Sequence, residues 1–86
     1  MNERIDRVAV MLKGEVYSYP RPARHHNVIA IMVNAYGVKP PLKGVFGFLT
    51  DAGRFVTRKE AGRIAIGARQ VERLAAPPHL HSEDLW

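Results

Sequence analysis

The sequence predicts an α+β fold: a small antiparallel sheet of two hairpins, in ββα-ββα order, covered by two helices and closed by a docked C-terminal tail. Three observations carry this expectation. Apolar residues alternate with period two on either side of Lys13-Gly14. They switch to a helical period between Val28 and Tyr36. Residues 47–67, GFLTDAGRFVTRKEAGRIAIG, then pack a strand, a tight turn, a second strand, a capped helix start and an amphipathic helix into one stretch. The halves agree in layout and not in sequence, so they are not a repeat.

In the first hairpin a two-residue loop at Lys13-Gly14 pairs Leu12 with Glu15, Val10 with Tyr17 and Val8 with Tyr19. That register puts Val8, Val10, Tyr17 and Tyr19 on one face, where β-branched and aromatic cross-strand pairs stabilise a sheet. Gly14 supplies the positive φ such a turn needs. Pro20-Arg21-Pro22 ends the hairpin, because proline cannot donate to a ladder and holds its predecessor extended. From about Ala23 to Tyr36 the positions Val28, Ile31, Met32, Ala35 and Tyr36 mark one helix face, widened by Ile29 and Val33, with Gly37 at the expected C-cap.

The connector VKPPLKG, residues 38–44, is broken by prolines. A strand follows at residues 45–50, a turn at Asp51-Ala52-Gly53, and a short return strand at Arg54-Phe55-Val56. Thr57 followed by Glu60 is a capping-box signature. Ala61, Ile64, Ala65 and Ala68 form the inner face of the second helix. Gly62 and Gly67 weaken it by roughly 1 kcal/mol each against alanine, which points to tight packing or to an early end near Gly67. Beyond Val71 no regular element is expected. Ala75-Ala76-Pro77-Pro78 is a stop, and the ending Leu85-Trp86 is apolar enough to dock.

Eighty-six residues are read as a single domain, 1–86, with a thin core. Hydrophobic residues at 47% and charged residues at 24% give a globular composition. The absence of cysteine excludes disulfides, thiolate metal sites and a thiol nucleophile. No apolar run is long enough to span a bilayer and the N-terminus lacks a signal-peptide core, so a cytoplasmic chain is expected. A net charge of +5 favours an acidic partner, which includes nucleic acid, a phosphorylated ligand and an acidic protein surface. The alternative is that spread-out cations serve solubility alone.

Two groups of residues are candidates for a ligand or partner site. Arg24, His25 and His26 open the first helix, where free N–H groups and the positive dipole end attract anions. The structural alternative makes both histidines neutral, one capping the helix and one packing on the sheet. Arg54, Arg58 and Arg63 surround the second helix start. Asp51 and Glu60 lie close enough to engage Arg54 and Arg58 in surface ion pairs, and a free guanidinium could take a phosphate bidentately. Tyr17, Tyr19, Phe46, Phe48 and Phe55 on strands could stack bases, but a core this small needs most of them inside. His25, His26, His79 and His81 with Glu83 and Asp84 are the candidate metal ligands, but no metal site is expected: adjacent His25 and His26 cannot easily share an ion from a helix, and His79-x-His81 suits a strand and not a loop. No catalytic motif and no cofactor signature is present.

Arg24-His25-His26 at a helix start, Gly47-Phe48-Leu49-Thr50, Gly53-Arg54-Phe55-Val56, Arg58-Lys59-Glu60-Ala61, Ile64-Ala65 and the ending Ser82-Glu83-Asp84-Leu85-Trp86 resemble a family of small uncharacterised phage and prophage proteins. The likeness covers most of residues 8–86. Its most specific parts are the GRFV-x-R-x-EA block and the SEDLW ending; Gly62, Gly67 and the VERLAAPPH linker depart from it. The resemblance implies phage origin and no particular reaction. By analogy with small phage accessory proteins, the expectation is a non-catalytic binder that inhibits a host defence nucleoprotein complex, as an anti-CRISPR does. Its partner would be a host protein or nucleoprotein complex, with no membrane involved. One alternative is a basic module that binds DNA, RNA or a phosphorylated ligand directly. Another is a small enzyme using His25 or His26 as acid or base with Arg24 holding an anion.

Overall fold

The computed structural model describes residues 3–41 and 43–86, so Leu42 of the connector and the first two residues of the N-terminus lie outside the described residues. The chain forms β1 (Ile5–Leu12), β2 (Glu15–Pro20), α1 (His25–Asn34), β3 (Val45–Thr50), β4 (Phe55–Thr57), α2 (Arg58–Gly67) and a 3-10 turn at Ser82–Asp84. The four strands make one antiparallel sheet in the order β2-β1-β3-β4. β1 thus joins the two hairpins by pairing with β3, and the fold is α+β.

Local signals placed the first hairpin. Val8 faces Tyr19, Val10 faces Tyr17 and Leu12 faces Glu15, with Gly14 at φ 81° in the turn. β1 begins earlier than the alternation from Val8 suggests. Its register against β3 shifts between Ile5 and Arg7, leaving Asp6 as an extra residue. A bulge of this kind resets the parity of the strand, so Ile5 and Val8, three positions apart, both enter the core. The Ile5 main chain is completed by a side chain: Ile5 N–H donates to Gln70 Oε1 at 2.7 Å, and Gln70 Nε2 donates to the Ile5 carbonyl at 2.9 Å.

Both helices pack on the face that carries Val8, Val10, Phe48 and Val56. Val28 and Met32 of α1 and Ala61 and Ala65 of α2 join those residues in one buried cluster. α1 is shorter than its apolar periodicity implies. It ends at Asn34, with the Ala35 N–H bonded to the Ile31 carbonyl, and Gly37 (φ 70°) turns the chain beyond it. In α2 the Glu60 N–H donates to Thr57 Oγ1, which is half of the expected capping box. The reciprocal bond is replaced, because the Glu60 carboxylate accepts from Arg54 instead.

Both readings of the glycines hold, one at each position. At Gly62 a Cβ would come within 2.7 Å of the Pro78 carbonyl oxygen and 2.9 Å of a Leu74 methyl, so the tail lies directly on the helix there. Gly67 ends the helix with no neighbour within 4 Å of such a Cβ. The tail is docked. Leu80 is fully buried, the Leu80 N–H donates to the Arg58 carbonyl, and Trp86 Nε1 donates to the Ala23 carbonyl at 2.8 Å. The opposite face of the sheet carries Met11, Val16, Val45, Leu49 and Phe55 by register, with Val16 40% and Val45 50% exposed.

Candidate functional site

Two helix starts and the tail meet at one place. α1 begins at His25 once the proline-bounded segment releases the chain; Arg24 is its N-cap, and Asn27 Oδ1 accepts the Arg24 N–H at 2.9 Å. No acidic residue occupies the first turn. α2 begins at Arg58, whose carbonyl is held by Leu80 of the tail. Between these starts lies a cleft of about 220 Å³, lined by Arg24, His25, His26, Arg58, Ser82 and Glu83.

His25 is 93% buried by the 7% exposure of its surface. Its ring stacks on Phe46 at 5.6 Å between centroids and meets Phe48 edge-on at 5.1 Å. Nε2 lies 2.8 Å from the Gly47 carbonyl. A carbonyl only accepts, so Nε2 carries the proton and the neutral ring keeps its lone pair on Nδ1. Burial is the main force that lowers the His25 pKa from its usual value; the neighbouring Arg58 lowers it further, and the Gly47 bond opposes both. The ring is therefore neutral at pH 7.

Arg58 lies with its guanidinium 5.9 Å from the Phe46 ring centroid and donates to the Leu80 carbonyl at 3.3 Å. Its pKa is lowered chiefly by desolvation, with Glu83 acting in the opposite direction. Arg24 donates to the Trp86 main-chain oxygen. Among the described residues neither Arg24 nor Arg58 forms an ion pair with an Asp or Glu side chain within 4.0 Å. Ser82, 98% buried, donates to Glu83 Oε1 at 2.8 Å. That bond is the largest cause holding the Glu83 carboxyl below its usual pKa, with a smaller contribution from Arg24. The cleft is thus lined by two arginines, an ionised carboxylate and a neutral histidine.

Four of the six candidate residues, Arg24, His25, His26 and Arg58, line this cleft, and Arg54 and Arg63 do not. Arg54 is occupied elsewhere: it pairs with Glu3 at 2.8 Å and Glu60 at 3.0 Å. Asp51, the other expected partner, instead accepts the Arg4 N–H. Arg63 is an exposed residue of α2. Of the two histidines, His25 packs on the sheet and neither caps the helix, since Asn27 takes that role. Phe48 is buried in the core, which removes it from any base-stacking surface, and the half-buried Phe46 stacks on His25. Ser82 and Glu83 are not among the anion-site candidates of the sequence; the signal that leads to them is the SEDLW ending, whose apolar Leu85-Trp86 anchors the turn that carries them.

Among the described residues no group of three or more His, Asp or Glu side chains is placed to hold a metal ion, and no helix is long and apolar enough to cross a membrane. The model of the phage T4 y16D protein family matches residues 4–86. The chain belongs to that family. The SEDLW ending and the helix-opening Arg-His-His that wall the cleft both fall inside the matched y16D region. No curated protein and no solved structure matches the chain.

Proposed function

We propose that this phage-family protein binds a small phosphorylated ligand in the cleft between the starts of α1 and α2 and the Ser82–Asp84 turn. The observation that supports this reading is the gathering of Arg24, His26 and Arg58 at two helix starts, with Glu83 the one acidic side chain among the described residues that line the cleft. Cations at a helix N-terminus oppose its dipole, and the opposition disappears when an anion sits between them. A volume of about 220 Å³ is below the roughly 300–1,000 Å³ of pockets for drug-sized ligands, so the ligand is small. Local conflict of this kind concentrates at functional sites.

Backbone amide shifts on titration with inorganic phosphate and with 5′-AMP at low salt test the reading. The expected responses are at residues 24–26, 58 and 82–83. Arg24→Gln and Arg58→Gln should each weaken binding about tenfold or more, the size of one charge-assisted hydrogen bond. Arg54→Ala and Arg63→Ala should leave it unchanged. Cleft amides that respond to neither anion at millimolar concentration would reject the proposal.

A second reading is a non-catalytic, anti-CRISPR-like inhibitor of a host defence nucleoprotein complex. Its support is the phage family and the helix-free sheet face with exposed Val16 and Val45. Purification from an infected host should then recover a defined complex that Val16→Lys with Val45→Lys abolishes. If no defence system is inhibited and no host protein co-purifies, this second reading fails.

A further inference from the structure

The cleft is not built for an anion alone. An inorganic anion would satisfy Arg24 and Arg58, but two acceptors share the same small space. One is Glu83, ionised and engaged by Ser82 through Oε1. The other is His25 Nδ1. With Nε2 committed to the Gly47 carbonyl, Nδ1 has no hydrogen-bond partner among the described residues. Yet no buried side-chain nitrogen or oxygen among them is left unpaired. Nδ1 must therefore reach solvent, and His25 is one of the residues that line the cleft. A lone pair on a ring more than nine-tenths buried, in a residue that lines the cleft with two arginines, calls for a ligand that also donates. An acceptor-only anion would set oxygen lone pairs against it, at the cost of an unmade hydrogen bond.

We propose that the ligand is a sugar phosphate: its phosphate is seated between the Arg24 and Arg58 guanidiniums, one hydroxyl donates to His25 Nδ1, and a second donates to Glu83. This rests on the reading of the cleft as a phosphate site and adds the chemical class of what carries the phosphate. The Phe46 and Phe48 rings fix the imidazole plane, so Nδ1 keeps one direction without a carboxylate to orient it.

Calorimetry and imidazole ¹⁵N spectra of the full chain with ribose 5-phosphate, inorganic phosphate and ribose provide the test. Ribose 5-phosphate should bind about tenfold more tightly than inorganic phosphate, with no binding of ribose at millimolar concentration. The Nδ1 resonance of His25 should move upfield at saturation with ribose 5-phosphate, as an accepted hydrogen bond requires. His25→Gln should remove the preference for ribose 5-phosphate over inorganic phosphate. Should that variant fail to fold, the Nδ1 shift of the unaltered protein decides. Equal affinity for the two phosphates, with Nδ1 unmoved, would overturn the sugar-phosphate assignment alone. Failure of both to bind would overturn the phosphate site and this inference with it.

Discussion

Gly62→Ala and Gly67→Ala are the same substitution in the same helix, and the structure gives them opposite signs. Helix propensity favours alanine at either place by up to about 1 kcal/mol, somewhat less at Gly67 because it is the last helical residue. At Gly67 nothing opposes this gain, since no atom lies within 4 Å of the added methyl. At Gly62 the methyl meets the Pro78 carbonyl oxygen at 2.7 Å and Leu74 Cδ1 at 2.9 Å. The leucine methyl can swing aside. The carbonyl cannot move without the tail, which is tied two residues later by the Leu80 N–H to the Arg58 carbonyl. Overpacking of this kind costs about 1–3 kcal/mol, so the net change at Gly62 is a loss of about 1 kcal/mol or more. The two variants should differ by about 2 kcal/mol, or roughly 8–16 °C in Tm for a domain of this size. Urea unfolding with constant m-value measures it. The single tryptophan, Trp86, adds a second readout: its emission should shift to the red in Gly62→Ala as the tail loosens and stay put in Gly67→Ala. A Gly62→Ala protein as stable as Gly67→Ala, with unchanged emission, would refute the packing of the tail against α2.

Two further predictions concern long-range contacts. Gln70→Ala should cost about 1–3 kcal/mol, because it leaves both main-chain groups of Ile5 without their amide partner at the end of β1; denaturant unfolding measures the loss. Stability should also fall as pH drops below the ordinary histidine range. The His25 pKa is lower folded than unfolded, so the unfolded chain takes up a proton that the folded chain refuses. The contribution is fully present above the unfolded value of about 6.5 and is lost as pH falls towards the folded value. Unfolding free energies at intervals from pH 7.5 to 5 should show this slope, and it should be absent in His25→Gln.

The fate of the arginines shows how tertiary structure sorts residues of equal sequence appearance. Arg54 and Arg58 lie four positions apart in one motif, and both are candidates for an anion. Glu3, from the far end of the chain, claims Arg54 together with Glu60. Glu3 and Thr50 then close a hydrogen bond of their own, and the Arg54 contact is the largest cause of the lowered Glu3 pKa. Arg58 is pressed over Phe46 and turned into the cleft by the strand-to-helix step that begins α2.

By itself the sequence determined the elements and their local devices. The hairpin register at Lys13-Gly14, the β3 limits and the Thr57 cap all depend on alternation, glycine, proline and a few polar side chains acting within several residues. Tertiary structure decided the pairing of β1 with β3, the bulge that brings Ile5 inside, the Gln70 bridge and the cleft. Each of these joins segments far apart in the chain, as the 62 positions between Arg24 and Trp86 illustrate. Periodicity tells which face of an element is apolar. Which elements share a core, and hence which helix starts come to border one cleft, follows from how those faces exclude water together.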